Sequence, residues 1–221
     1  MKFLKILDTL TILMILIAIY MVFYYAPVEK VMGSVQKIFY FHVASAWIGF
    51  FAFFVTFIYS IIYFITQKFE YDLIAASSVE IGLIFCSLVL ITGPLWAKPA
   101  WGAYWTWDPR LTTTLILWFI YLSYIILRRF IEDDTKKANF SALLGIIGFI
   151  DVPIVFFSIR WFRTIHPNLL QKGGGLEPEM LVTLLISILA FTLFYINILI
   201  KRFNIELFYK KMETLTSNSN R

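Results

Sequence analysis

Two histidines, His42 and His166, are the residues of this chain best suited to hold a metal-containing ligand. A structural zinc site takes about four ligands, and two histidines with no other soft ligand beside them make a poor one. Two imidazoles can instead hold haem iron from opposite sides of the porphyrin plane. Each histidine alone also fits a packed or solvated role. Its neighbours in the sequence therefore decide how it is interpreted.

The tryptophans concentrate in one short segment. Four of the seven lie within twelve residues, at Trp96, Trp101, Trp105 and Trp107. A bilayer places tryptophan at both of its interfaces, so an interfacial belt explains one or two of these residues and not the cluster. Rigid indole rings cost little conformational entropy to order. They predict a flat apolar shelf that suits a large planar aromatic ligand.

Charged and polar residues accompany this shelf. Asp108 and Arg110 supply charge at its edge, and arginine pairs well with a carboxylate. Arg160, Arg163 and Lys172 fit either the same role or ordinary interfacial anchoring. Thr112 is predicted to cap the helix that follows the segment. Glycines at 173–175 are expected to let the loop beyond His166 move, or to let its backbone approach a ligand closely.

The composition indicates which class of protein positions these residues. Hydrophobic residues make up 60% of the 221 residues and charged residues 15%, against about 45–50% and 25% in soluble domains. These values, with a mean hydropathy of +0.80, exclude a soluble enzyme, a disordered chain and a disulfide scaffold. Cys86 stands alone, which excludes an internal disulfide and a CxxC pair.

Six charge-poor windows are long enough to cross a hydrocarbon core of about 30 Å as helices. They are residues 9–28, 38–67, 73–97, 111–127, 138–159 and 180–200. We therefore predict an all-α polytopic membrane protein with six transmembrane helices. Residues 1–202 form its single membrane domain, with the tryptophan-rich loop at 96–112. Residues 203–221 form a polar tail that is expected to fray.

The distribution of lysine and arginine predicts the orientation. Twelve of these residues fall on the side that holds both termini and seven on the other, so the termini are expected in the cytoplasm. The tryptophan loop then lies on the outer face, between Trp47 and Trp161 at the outer ends of the second and fifth helices. The first span is interpreted as an uncleaved anchor. The net charge of +5 is explained by the same rule, and no nucleic-acid partner is expected.

Two acidic residues fall at membrane depth. Glu80 lies near the start of the third span, and Asp151 lies well inside the fifth, two residues before Pro153. Acids inside a membrane are functional candidates. A proline kink also frees backbone groups that need partners, so a structural role for Asp151 and a transport role are both open.

Three stretches resemble one protein family. Residues 101–112, WGAYWTWDPRLT, resemble the tryptophan-rich WWD signature of haem-handling proteins in cytochrome c maturation, in the form found in the CcmC (heme exporter protein C) branch. Residues 39–47, FYFHVASAW, resemble the stretch around the family's first haem-ligand histidine. Residues 158–167, SIRWFRTIHP, resemble the stretch that carries the second. Six spans in a short chain fit this branch too.

The resemblance implies a site and a set of partners. Haem b would be held transiently at the outer face of the bacterial inner membrane, with His42 and His166 as axial ligands. The shelf and its charged rim would be Trp101, Trp105, Trp107, Asp108 and Arg110, with Trp47 and Trp161 beside them. Haem would pass to the haem chaperone CcmE in a complex with CcmD, the CcmAB ABC transporter and membrane lipid. No catalytic residue is implied, and a haem-lyase-like role in loading the chaperone stays open.

Alternatives remain at this point. A bis-histidine cytochrome b subunit that transfers electrons would also use His42 and His166. An ion or solute transporter would depend on Glu80 and Asp151 instead. A structural subunit with a thick aromatic anchor would bind no haem.

Overall fold

The computed structural model describes residues 2–30, 32–166 and 176–219, and helices make up most of them. Helix α1 is continued by a π-helical turn, and a 3-10 turn precedes α2. In chain order the elements are α1 (Lys2–Tyr20), the π-helical turn (Met21–Tyr25), the 3-10 turn (Ser34–Lys37), α2 (Ile38–Thr66), α3 (Phe69–Trp101), α4 (Pro109–Phe130), α5 (Asp134–Gly148), α6 (Asp151–Trp161) and α7 (Pro178–Ser219).

These elements form six spans that are long and apolar enough to cross a membrane, because α5 and α6 together make the fifth. The prediction of an all-α polytopic protein with six transmembrane helices is confirmed. The fifth span breaks at Phe149 and Ile150, directly before Asp151. Pro153 lacks the backbone N–H that would continue the helical ladder. Two short-range bonds bridge the break, from Ile150 N to Ile147 O and from Val152 N to Phe149 O, both at 3.1 Å.

Helices α2 and α3 form the central pair of the bundle. Gly82 on α3 makes their close approach possible, because a Cβ there would lie 2.8 Å from Phe53 Cε1. Phe53 in turn stacks on Tyr121 of α4, with ring centroids 3.6 Å apart. Helix α7 packs on α1, α2 and α3, whereas α6 packs on α4. The buried core therefore runs through α2, α3 and α4.

Ion pairs join the helices at the end of the bundle opposite the tryptophan segment. Arg128 on α4 binds both carboxylate oxygens of Asp72 on α3, at 2.6 and 2.9 Å. Glu80 accepts from Arg202 at 2.6 and 3.0 Å, so its carboxylate is paired. Lys210 pairs with Asp134 at the start of α5. These pairs anchor α7 as far as Lys210, and the helix continues to Ser219, where a frayed tail was expected.

Candidate functional site

A cavity of about 410 Å³ opens at the tryptophan end of the bundle, where α3 finishes and α4 begins. Helices α2, α3, α4, α6 and α7 all contribute to its walls, and most of its lining is apolar. His42 and His166 both line it, although they lie far apart in the sequence. Trp96, Trp101 and Trp105 also line it, as do the guanidinium-bearing residues Arg110 and Arg160.

His42 lies in the second turn of α2 and has a defined hydrogen-bond partner. Its Nδ1 lies 2.9 Å from Thr92 Oγ1 on α3. The Thr92 hydroxyl already donates to Leu88 O at 2.7 Å, so it accepts from His42, and Nδ1 carries the proton. This tautomer leaves Nε2 as the nitrogen with an available lone pair. Gly93 makes room for the ring, since a Cβ there would lie 3.2 Å from His42 Cε1.

His166 lies beyond the end of α6, in the loop that leads toward α7. Its backbone N–H donates to Thr164 Oγ1 at 3.0 Å. Its ring meets Trp101 edge to face, with centroids 6.1 Å apart and planes at 61°. The last turn of α3 therefore supplies an aromatic wall directly beside the imidazole.

The turn between α3 and α4 is shorter than the predicted loop at 96–112. Trp96 and Trp101 belong to the last turns of α3, where their rings cross edge to face at 5.6 Å. Gly102 ends that helix with a left-handed φ of 77°. Only residues 102–108 lie between the two helices.

Asp108 is the N-cap of α4, because its Oδ1 accepts from Arg110 N at 3.0 Å. The prediction that Thr112 caps this helix is wrong, and Thr112 Oγ1 is buried with no hydrogen-bond partner. Asp108 Oδ2 accepts from Thr164 Oγ1 at 2.6 Å and from Ile165 N at 3.0 Å. Only 8% of Asp108 is exposed. Its carboxylate lies between the turn that precedes α4 and the loop that precedes His166.

The structure separates the predicted site residues into two groups. His42, His166, Trp101, Trp105 and Arg110 line the cavity.

The second group, Asp108 and three tryptophans, lies outside the cavity lining. Trp107 is 75% exposed, and its ring meets Trp105 edge to face at 5.8 Å. Trp161 is 61% exposed and stacks on Phe157. Trp47 is 45% exposed, and its indole donates to Thr192 Oγ1 at 3.1 Å. Lys172 and the glycines at 173–175 lie outside the described residues.

Sequence reasoning missed the two threonines that orient the histidines. Thr164 carried a signal, since it stands two residues before His166, where a hydroxyl commonly bonds a nearby backbone N–H. Thr92 carried none, because it reaches His42 only through the packing of α3 on α2, across 50 residues of sequence.

The six spans and the cavity define a class of protein: polytopic membrane proteins with a ligand-sized cavity at one end of a helical bundle. A family model described as CcmC, heme exporter protein C, matches residues 1–218. The heme exporter protein C of Bradyrhizobium diazoefficiens is 34% identical over 193 residues, covering 86% of this chain and 73% of the relative. That of Escherichia coli (strain K12) is 32% identical over 173 residues, covering 77% and 70%.

A putative cytochrome c biosynthesis ccmC-like mitochondrial protein of Marchantia polymorpha is 32% identical over 176 residues, covering 79% of this chain and 75% of the relative. The chain therefore belongs to the heme exporter protein C (CcmC) family, and the resemblance seen in the WWD segment is confirmed. It is a multi-pass membrane protein with a role in haem handling for cytochrome c biogenesis.

Proposed function

We propose that this chain binds haem b between His42 and His166 at the periplasmic face of the bacterial inner membrane and delivers it to a CcmE-like haem chaperone. The observation that carries the proposal is that both histidines line one aromatic-walled cavity. Haem is the cargo here, so the site must hold it and also release it.

The donor set fits haem iron. Thr92 holds His42 in the tautomer whose Nε2 is available for a metal. Partners of this kind commonly fix the tautomer and ring orientation of a metal-ligating histidine. His166 would supply the second axial nitrogen. Two imidazoles are few for a zinc site, and no cluster of three metal-ligating side chains occurs among the described residues.

The walls fit a porphyrin. Trp101 and Trp105 offer rigid aromatic faces, and the remaining lining is largely aliphatic or phenylalanine. Arg110 and Arg160 are the charged residues of the lining, and guanidinium groups pair well with carboxylates. We assign them to the two haem propionates. Trp107 lies outside the lining and is widely exposed. We assign Trp107, Trp47 and Trp161 to the surface around the opening of the cavity.

The cavity also reaches the side of the bundle. It lies between α6, which packs on α4, and α7, which packs on α1, α2 and α3. Phe156 on α6 and Leu181 and Leu185 on α7 line it, yet each is substantially exposed on the outside of the bundle. We propose that haem enters here from the lipid. An apolar planar molecule would then reach the histidines without crossing the polar loops.

The remaining partners follow from the family. Heme exporter proteins imply an ABC-transporter-type export system, and we propose CcmAB-like, CcmD-like and CcmE-like proteins as the partners of this chain. The excess of lysine and arginine at the end that holds both termini supports a cytoplasmic position for that end. The cavity then opens at the periplasmic side.

Replacing either histidine tests the axial ligands. Purified wild-type protein is expected to show the absorption spectrum of low-spin, six-coordinate haem. His42→Ala and His166→Ala should each shift it toward high-spin haem or lose haem, because one axial nitrogen is gone. Tyr24→Ala, which removes a 79% exposed ring from the π-helical turn, is the control and should keep the wild-type spectrum. A double histidine variant with an unchanged spectrum would refute the assignment.

Delivery is tested in cells. Protein purified from cells that lack the chaperone should carry more haem than protein from cells that contain it, because the cargo has no acceptor. Equal haem content in both preparations would contradict delivery while leaving haem binding intact.

A further inference from the structure

Two loops that are far apart in the sequence are joined by one carboxylate. Asp108 follows the tryptophan segment, and Thr164 and Ile165 lie just before His166. Asp108 Oδ2 accepts two hydrogen bonds from that loop, at 2.6 Å from Thr164 Oγ1 and 3.0 Å from Ile165 N. Its other oxygen caps α4. The carboxylate therefore has three donors, two from the His166 loop and one from the first turn of α4.

The Thr164 hydroxyl carries this contact on to the histidine. Since Asp108 is an acceptor, Thr164 Oγ1 must donate to it, and the same oxygen accepts from His166 N at 3.0 Å. A continuous chain of hydrogen bonds thus runs from Asp108 through Thr164 to the backbone of His166. The N-terminus of α4 stabilises the buried negative charge, because the helix macrodipole is positive there.

The placement of Asp108 does not suit direct contact with a ligand. It is buried, its oxygens are occupied by protein donors, and it does not line the cavity. Its neighbour Arg110 does line the cavity. Arg110 therefore faces the space that would hold the ligand, whereas Asp108 bonds the loop that carries His166.

We propose that Asp108 is a positioning residue: through Thr164 it fixes the backbone of His166 so that the imidazole meets the iron beside Trp101. This inference rests on the proposed function, in which His166 is an axial ligand. The contact joins the tryptophan segment to the loop that carries His166. Haem can then be released when the hydrogen bonds between Asp108 and this loop break, without movement of His42 on α2.

Thr164→Val is the sharpest test, because it removes the hydroxyl with little change in shape and leaves the Asp108 cap on α4 intact. We expect the haem spectrum of the purified protein to shift from low-spin toward high-spin. Haem should still copurify with the variant, as it would not with a misfolded protein, and added imidazole should restore the low-spin spectrum by replacing the misplaced ligand. Thr164→Ser, which keeps the hydroxyl, should behave as wild type.

Thr112→Val is the matched control. It removes a buried hydroxyl from the start of α4 that has no hydrogen-bond partner, so its spectrum should stay low-spin. Asp108→Asn provides a second, independent variant. Asparagine caps helices as well as aspartate, but its single carbonyl oxygen cannot serve α4 and the His166 loop together, and the same imidazole-reversible shift is expected.

A measurement on the haem-free protein completes the test. Hydrogen exchange of the His166 amide, which loses its acceptor, should be roughly fivefold faster in Thr164→Val, given about 1 kcal/mol for that bond. Unchanged spectra and exchange in Thr164→Val and Asp108→Asn would overturn the positioning role. If His166→Ala itself leaves the low-spin spectrum intact, the proposed axial ligation fails instead, and the two failures are distinguishable.

Discussion

At the scale of single residues, each histidine of the cavity donates a hydrogen bond to a threonine hydroxyl. Thr92 accepts from the ring of His42, and Thr164 accepts from the backbone of His166. The two contacts differ in kind, because the first fixes a tautomer and the second fixes a loop. His42 is thus held by a rigid helix pair, and His166 by a loop contact that is easier to release.

Removing the partner of His42 should weaken haem binding. In Thr92→Val the Nδ1 proton loses its acceptor, so the ring is free to rotate and to change tautomer. Loss of such a partner typically costs 10–100-fold in metal affinity, and we expect a reduction of that order in haem titrations of the purified protein. Thr192→Val is the control, because Thr192 also accepts from an aromatic N–H, that of Trp47, outside the cavity lining. Equal affinities for both variants would contradict the role of Thr92.

At the scale of elements, the end of α3 determines how the tryptophans meet the histidines. Gly102 closes the helix with its N–H on Lys98 O at 2.9 Å. Lys98 Nζ donates to Gly102 O at 2.9 Å, so a second hydrogen bond joins the same two residues. This tight end sends the chain from Trp101 toward Asp108 within seven non-helical residues.

Gly102→Ala should therefore disturb both stability and haem binding. A left-handed φ of 77° costs an ordinary residue about 1–2 kcal/mol, and a Cβ there meets no atom within 4 Å, so the cost is backbone strain alone. Gly33→Ala is the control, because it also places a Cβ at positive φ in open space, although its φ of 60° and ψ of −139° are less accessible to a residue with a side chain. Thermal unfolding in detergent should show a loss in Gly33→Ala at least as large as in Gly102→Ala, and haem content should fall only in Gly102→Ala. A loss of haem in both would mean that the effect is general instability.

At the scale of the whole molecule, the α2–α3 interface supports the floor of the cavity. Phe53 lines the cavity, stacks on Tyr121 of α4 and faces Gly82 of α3. Ion pairs such as Asp72–Arg128 fasten the same helices at the other end. Helix α3 is therefore joined to its neighbours near its start by the ion pair and at its middle by the contact that supports the cavity.

Gly82→Ala should destabilise the bundle by about 1–3 kcal/mol, because overpacking a tight core forces side chains and backbone apart. The added Cβ would lie 2.8 Å from Phe53 Cε1 and 2.9 Å from Ala52 Cβ. Gly49→Ala is the control, since its Cβ would meet Cys86 atoms at an ordinary 3.8–3.9 Å. Circular dichroism melts in detergent should show a lower midpoint for the first variant only. Equal midpoints would show that the interface has room to adjust.

The sequence by itself determined the number of spans and their helical type, since charge-poor windows of about 20 residues have the length at which a helix crosses a bilayer. It also singled out His42, His166 and the tryptophan segment, because their residue types are unusual and their motif is local. Only the tertiary structure decided which of these residues share a cavity and which lie outside it. Helix packing also assigned Thr92 to His42 and Asp108 to the His166 loop, because both contacts join residues 50 or more positions apart. No local pattern encodes contacts of that kind.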